Sequence, residues 1–174
     1  MSRFTCCTAL RANSDSSDLP RLSPFGGSVT APTCYAKDHY AGGQPTPGQL
    51  AELERAGVRT VINLRAADEP VDYDEAAEAG RLGLGYVAFP ITGAADLDRE
   101  RAQHFGALLD KARREGGVLI HCASANRVGA MVALDEALNR GRTIDAALEL
   151  GRAAGLKALE PAVVALAERE GARR

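Results

Sequence analysis

Three short apolar runs, each about as long as one strand, restrict the folds that this chain can adopt. They are 58–64, 85–91 and 118–122, and each is apolar along most of its length rather than at every second residue. Such runs are typical of strands that are covered on both faces. Segments with helical periodicity separate them. The pattern therefore predicts an α/β fold with a mostly parallel central sheet and helices on both faces.

The helix before the first run has the clearest start signal. Thr46, Pro47 and Gln49 are the residue types of an N-cap, a first helical position and a third helical position. Gly57 ends this helix, and Gly116 follows another. Apolar residues at three- and four-residue steps predict further helices over 73–82, 97–115, 127–140, 144–154 and 159–171.

The length of 174 residues fits one domain. Residues 1–34 are rich in Ser, Thr, Pro, Gly and Asp and show no sustained period. We therefore expect a disordered tail over 1–34 and a folded domain over 35–174, with order beginning near Tyr40.

Charge and composition exclude several classes of function. The sum of 21 Lys and Arg against 23 Asp and Glu gives a net charge of −2, so no global field favours nucleic acid or an anionic membrane. No apolar run approaches the length of a membrane span. The N-terminal FTCCTAL is too short and too rich in threonine for a secretory signal, and we expect a cytoplasmic protein. The histidines are scattered and no Cys-x2-Cys pair occurs. We expect no metal and no cofactor.

The third run leads into the most informative stretch of the chain, HCASANRVGA. A strand ends at Cys122, small residues follow, and Arg127 opens a helix. The N–H groups of such a loop converge on one point, where the helix N-terminus adds partial positive charge. This setting favours a Cys122 thiolate, and the Arg127 guanidinium fits two oxygens of a tetrahedral anion. We therefore predict an anion site with Cys122 as its nucleophile. Its binding residues are Ala123, Ser124, Ala125, Asn126 and Arg127.

Each of these residues also has a purely structural interpretation. A buried cysteine at a strand end is commonly a small core residue. The conjunction of strand, small loop, arginine and helix favours the nucleophile instead. For His121 the structural interpretation is favoured: we expect it to pack beneath the loop rather than to transfer a proton directly.

Three blocks of the chain resemble the beta-lactamase-hydrolase-like phosphatase family, a branch similar to the cysteine-dependent protein tyrosine and dual-specificity phosphatases. The blocks are YAGGQPTPGQLAELERAGVRTVINLR, HCASANRVGA and ELGRAAGL, so the similarity runs from Tyr40 to the final helix. The resemblance implies a phosphatase-like α/β domain over 35–174. It also implies hydrolysis of a phosphorylated substrate, a phosphomonoester of the phosphotyrosine kind, with Cys122 as nucleophile and Arg127 as the phosphate-binding residue.

Two departures from the usual pattern leave other functions open. Four residues separate Cys122 from Arg127, whereas tyrosine phosphatases usually have five. Four is also the spacing of rhodanese-like sulfurtransferases, whose cysteine carries a persulfide, and this is the first alternative. Ala125 stands where the family often has Gly, so a backbone angle that favours glycine would be strained. A non-catalytic phosphate-binding module is the second alternative.

The predicted site also requires a proton donor for the leaving group. Asp96 is our candidate for this general acid, with Asp98 as the neighbouring possibility. Capping of the following helix is the structural alternative for both. Asp68 and Glu69 follow a strand end, but we interpret them as part of a solvated loop. Arg65, at the same sheet edge, either assists anion binding or forms a salt bridge.

Overall fold

The structure, a computed structural model, describes residues 31–172. Most of the expected tail over 1–34 lies outside these residues. Its last part does not fit the expectation, because Thr33–Ala36 forms a strand that pairs with His39–Gly42. The expectation that order begins near Tyr40 is therefore wrong. A short edge strand takes its register from its partner, and its own sequence carries little signal.

The described residues contain five strands and six α-helices. The strands are β1 (Thr33–Ala36), β2 (His39–Gly42), β3 (Val58–Asn63), β4 (Gly85–Ala88) and β5 (Gly117–His121). The helices are α1 (Pro47–Arg55), α2 (Glu75–Arg81), α3 (Arg99–Glu115), α4 (Asn126–Leu134), α5 (Ile144–Ala153) and α6 (Glu160–Gly171). Within residues 31–172, no helix combines the length and the apolar character that crossing a membrane requires.

The strands form one sheet in the order β1-β2-β5-β3-β4. The pairs β2/β5, β5/β3 and β3/β4 are parallel, and only the edge pair β1/β2 is antiparallel. Side chains that alternate along the strands enter two different cores. Ile62 and Ile120 lie in the larger core with α3 and α4, whereas Val61 and Leu119 lie in the smaller core with α1. The expected parallel sheet with helices on both faces is confirmed.

The start of α1 agrees with its sequence signals. The Thr46 hydroxyl accepts a hydrogen bond from the Gln49 N–H at 3.2 Å, and the Gln49 side chain accepts one from the Thr46 N–H at 2.9 Å. This reciprocal cap satisfies two backbone donors that the helix itself leaves without partners. Gly57, at φ 101°, ends the segment.

Two elements are shorter than expected. The strand predicted over 85–91 ends at Ala88, although the Ile91 N–H still donates to the Leu64 carbonyl at 3.0 Å. Pro90 has no N–H with which to continue the ladder. The helix predicted over 127–140 stops at Leu134 and continues as a π-helical turn over Asp135–Asn139. The carboxylate of Asp135, which is buried, accepts hydrogen bonds from Asn139 and from Arg140 within this wider turn.

Helix α4, which begins at the predicted anion site, packs very closely against α5. A Cβ atom on Gly129 would lie 2.1 Å from the Leu156 nitrogen and 2.5 Å from the Gly151 carbonyl oxygen. Both neighbours are backbone atoms and cannot rotate away. The two helices therefore require glycine at this contact.

We predict that Gly129→Ala lowers the free energy of unfolding by about 3 kcal/mol, the upper end of ordinary overpacking. The matched control is Gly80→Ala in α2, where an added Cβ meets nothing within 4 Å. That control should raise the free energy of unfolding by about 0.5–1 kcal/mol because alanine loses less entropy in a helix. Urea denaturation measures both. Equal stability of the two variants would mean that α4 and α5 separate at no cost.

Candidate active site

Cys122 directly follows the carboxyl end of β5, at the middle of the sheet. The residue is fully buried, and its N–H donates to the Gly42 carbonyl at 3.2 Å. The next turn is fastened to the same neighbouring segment by a bridge between Ser124 and Gly43. The strand and loop therefore hold the sulfur at the N-terminal end of α4, as the sequence predicts.

Ala125 has a left-handed backbone conformation of the kind that favours glycine, as the glycine common at this position in the resembled family suggested. Its φ of 64° and ψ of −7° lie in the left-handed region, and the residue stands immediately before α4. An L-residue with a Cβ atom is strained there. The expected strain at this position is confirmed.

Asn126 uses its side chain to support the loop. Its Oδ1 accepts hydrogen bonds from the N–H groups of Lys157, at 2.8 Å, and Leu159, at 3.3 Å. These contacts tie the start of α4 to the segment before α6. The side chain is thus occupied by the protein, and anion binding by Asn126 would use its backbone N–H.

The Arg127 guanidinium donates three hydrogen bonds to oxygen atoms, two of them to one carboxylate. Nη1 donates to Glu69 Oε1 and, at 2.9 Å, to the Ile91 carbonyl oxygen. Nη2 donates to Glu69 Oε2 at 2.8 Å. The pKa of Arg127 is raised above its usual range, first by the hydrogen bonding to Glu69, with a further contribution from Cys122. The guanidinium therefore lies beside the sulfur.

Glu69 is the residue whose part in this site the sequence reasoning missed. We interpreted it as part of a solvated loop, but its carboxylate forms an ion pair with Arg127. Hydrogen bonding to Arg127, and secondarily to the Ala66 N–H and to Arg65, lowers the pKa of Glu69 to about 2. The carboxyl is therefore ionised near neutral pH and does not supply a proton.

Arg65 forms a salt bridge with Glu69. Nε donates to Glu69 Oε2 at 3.4 Å, while the two terminal nitrogens donate to the Gln44 side chain and the Pro70 carbonyl. The residue is only 9% exposed. Of the two roles that the sequence allowed for Arg65, the structure supports the salt bridge.

His121, one residue before Cys122, is fully buried beneath the loop. Its Nε2 lies 2.9 Å from Glu75 Oε1, without the alignment of a hydrogen bond. The other oxygen of Glu75 accepts hydrogen bonds from Asn63 and from the Tyr86 hydroxyl, each at 3.3 Å. This position agrees with the supporting role that the sequence favoured for His121.

The candidate acids have different surroundings. Asp98 accepts a hydrogen bond from the Arg101 N–H at 2.7 Å and is the N-cap of α3, as its structural interpretation predicts. Asp96 accepts two hydrogen bonds from Thr92, one from the N–H and one from the hydroxyl, both at 2.6 Å. These bonds, led by that from the hydroxyl, lower the pKa of Asp96.

A cavity of about 460 Å³ opens beside the Arg127 side chain. Its other lining residues include Asp68, Glu69, Thr92 and Asn126. Its volume lies within the usual range for a small-molecule site. Asp96 is not among the lining residues, but it is bonded to Thr92, which is. Asp68 lines the cavity itself.

Comparison with known proteins identifies the family. The family described as "DSP-PTPase phosphatase fused to NAD+ Kinase" matches residues 32–161. This chain belongs to that family. The Beta-lactamase hydrolase-like protein of Xylella fastidiosa is 34% identical over 117 residues, which are 65% of this chain and 26% of that protein. The chain thus spans about a quarter of the length of this curated relative.

Solved structures of phosphatases share the fold. The crystal structure of P. aeruginosa TpbA has a TM-score of 0.65 and 25% identity, covering 83% of this chain and 89% of TpbA. TpbA has also been solved in complex with pTyr, with a TM-score of 0.64 and 22% identity, over 83% of this chain and 91% of that one. PTPMT1 in complex with PI(5)P has a TM-score of 0.64 at 14% identity, over 82% of this chain and 98% of that one. The expected fold and the assignment to the tyrosine phosphatase-like hydrolases are confirmed.

The strained loop residue leads to a stability prediction for the phosphatase domain. In Ala125→Gly, relief of about 1–2 kcal/mol of left-handed strain opposes the loss of about 0.8 kcal/mol for a buried methyl group. We expect the free energy of unfolding to stay equal or to rise. Ala130→Gly, a buried alanine inside α4, should lower it by about 1–2 kcal/mol since no strain is relieved. If urea denaturation finds equal losses for both variants, Ala125 is not strained.

Proposed function

We propose that this domain hydrolyses phosphomonoesters through a phosphocysteine intermediate on Cys122. The observation that carries the proposal is the position of the Arg127 guanidinium beside the Cys122 sulfur, at the N-terminus of α4. Positive charge from the guanidinium and from the helix N-terminus converges where a transferred phosphoryl group carries its negative charge. Membership of the phosphatase family supports the same assignment.

The proposed reaction has two steps with balanced bonds and protons. In the first, the Cys122 thiolate attacks phosphorus, so that a sulfur–phosphorus bond forms and the bond to the leaving oxygen breaks. The leaving oxygen takes a proton from a general acid. In the second, water attacks phosphorus, the thiolate leaves, and the water proton returns to the general base. Arg127 and the loop N–H groups stabilise the phosphoryl oxygens in both steps.

Asp96 is the proposed general acid because it lies next to the cavity through Thr92. To donate a proton, it must first be protonated and give up the two hydrogen bonds that it accepts from Thr92. Leaving groups that need little protonation should therefore react best. This favours aryl phosphates, whose phenoxide is a better leaving group than an alkoxide.

The substrate is proposed as a phosphorylated molecule, without nucleic acid or membrane as partner. The relatives solved with pTyr and with PI(5)P carry an aryl and an alkyl phosphate, so both classes require testing. A free thiolate persists in a reducing compartment, and the proposal therefore keeps the cytoplasm as the location.

We expect hydrolysis of p-nitrophenyl phosphate to fall to the background rate in Cys122→Ser. In Arg127→Ala, kcat should fall by about 10²–10³-fold because a donor to the developing charge is lost. Arg81→Ala is the matched control, since Arg81 also forms a bidentate pair with a glutamate but on the surface of α2. Its activity should equal that of the unaltered protein. Release of nitrophenol measures all three.

Sulfurtransferase activity is the result that would contradict the proposed phosphatase function. Because four residues separate Cys122 from Arg127, the same variants should also be assayed with thiosulfate and cyanide. We expect no thiocyanate that depends on Cys122. Thiocyanate formed faster than phosphate is released from every aryl and alkyl ester tried would overturn the proposal.

A separate comparison tests Asp96. If Asp96 is the acid, Asp96→Asn should lower kcat by about 10²–10⁴-fold on an alkyl phosphate and by much less on p-nitrophenyl phosphate. Asp98→Ala should lower the free energy of unfolding by about 1 kcal/mol, as expected for a lost cap, with no preference between the substrates. An Asp96→Asn defect that is equal on both substrates would exclude this aspartate as the proton donor.

A further inference from the structure

Asp68 is a charged residue of the cavity beside Arg127 that has no partner within the described structure. Three charged residues line this cavity: Asp68, Glu69 and Arg127. Glu69 and Arg127 form an ion pair with each other, so their opposite charges largely cancel at a distance. The Asp68 side chain is exposed and makes no hydrogen bond or ion pair with any residue from 31 to 172. Its negative charge is therefore available to a molecule that enters the cavity.

The rest of this cavity's lining, as far as residues 31–172 form it, contains no positive side chain. It consists of Ala66, Thr92, Gly93, Asn126 and Leu159. Two cations from neighbouring helices are engaged elsewhere. Arg101, in α3, donates to the Pro90 carbonyl oxygen at 2.6 Å, and Lys157 lines a different cavity beside α6. A second phosphate or a carboxylate on the substrate would therefore find no free cation in this lining.

A second cavity, of about 410 Å³, shares Glu69 with the first. Among the described residues, its lining holds one cation, Arg65, and two further carboxylates, Asp74 and Glu75. Arg65 is already bound, because Nε donates to Glu69 and its two terminal nitrogens donate to a side-chain oxygen and a carbonyl oxygen. A substrate that extends from the first cavity into the second therefore still meets no free cation.

The charge of Asp68 acts across the whole of the first cavity. Its volume of about 460 Å³ equals that of a sphere about 10 Å across, which is about one Debye length at physiological ionic strength. Arg127 and the loop N–H groups act at shorter range, through hydrogen bonds to the phosphoryl group itself. The phosphoryl group is therefore bound at the start of α4, whereas the rest of the substrate lies in the field of a negative charge.

We propose that Asp68 determines substrate specificity, by selecting phosphomonoesters that carry a positively charged amine or guanidine and no second anionic group near the phosphate. The proposal rests on the phosphatase function proposed above. A substrate ammonium group in the cavity pairs with the Asp68 carboxylate, whereas a carboxylate or a second phosphate is repelled by it. A small phosphorylated amine and a phosphorylated peptide with an adjacent lysine or arginine share this chemistry.

Three aryl phosphates that share a phenol leaving group test this selection. They carry an aminoethyl, a hydroxyethyl or a carboxyethyl group para to the phosphate, so they differ in charge but little in size. Exposed charge pairs change binding by about 1.5–5-fold, so attraction and repulsion together should make kcat/KM about 3–10-fold higher for the amine than for the carboxylate. This preference should decrease as ionic strength rises from about 0.05 to about 0.5 M, because salt screens the Asp68 charge.

Variants identify the source of the preference. Asp68→Asn should reduce it to less than about twofold, and Asp68→Lys should reverse it. Asp72→Asn is the matched control, since Asp72 is exposed on the same segment but lines neither cavity, and it should keep the preference. An equal loss of activity on all three esters in Asp68→Asn would overturn the proposal, because Asp68 would then act in the chemical step or in the fold. So would a preference that persists in Asp68→Asn.

A pair of phosphotyrosine peptides distinguishes the two sources of the positive charge. One peptide has lysine on both sides of the phosphotyrosine, and the other has glutamate. A preference for the lysine peptide that depends on Asp68 assigns a basic phosphopeptide as the substrate. A preference that depends on Asp68 but is confined to the three small esters assigns a small phosphorylated amine.

Binding of the three esters to Cys122→Ser, measured by calorimetry, distinguishes failure of this proposal from failure of the proposed function. If the unaltered chain hydrolyses no ester but the amine binds more tightly than the carboxylate, the phosphatase function fails and selection by Asp68 stands. If all three esters are hydrolysed with equal kcat/KM, the function stands and the selection falls. If no ester is hydrolysed and all three bind equally or not at all, both fall.

Discussion

The enclosure of β5 within the sheet is the constraint on which the rest of the structure depends. Parallel strands flank it on both sides, and all of its residues are buried. A strand in this position has no face or edge in contact with solvent, so it can present a reactive side chain only at its carboxyl end. Cys122 follows that end. The loops that follow β3 and β4 begin at the same edge of the sheet, which is why Glu69 and Thr92 lie near the start of α4.

Much of the fold could be predicted because its signals are local. The cap formed by Thr46 and Gln49 needs only residues within one turn of each other. Cys122 and Arg127 lie in one contiguous stretch, so their spacing alone indicated a loop at a helix N-terminus. The strained conformation of Ala125 followed from the glycine common at this position in the resembled family.

The structural features that the sequence did not predict depend on residues that are far apart in the chain. β1 has only four residues, and its register comes from β2. The π-helical turn at Asp135 lies where α3 comes very close, since a Cβ atom on Gly106 would be 2.4 Å from its carboxylate. Glu69 is separated from Arg127 by 58 positions. Nothing next to a loop glutamate indicates a distant arginine, and only its place after a parallel strand gave a weak signal.

The cavity beside Arg127 has two different walls, one formed by the start of α4 and the other by loops. Backbone atoms at Gly129 and Leu156 leave α4 no room to slide, so the wall that bears Arg127 is rigid. The facing wall is built from the connections that follow β3 and β4. Loops tolerate changes in length and sequence that packed helices do not. This architecture lets the cavity change its shape through residues 66–70 and 92–98 while the start of α4 keeps its position.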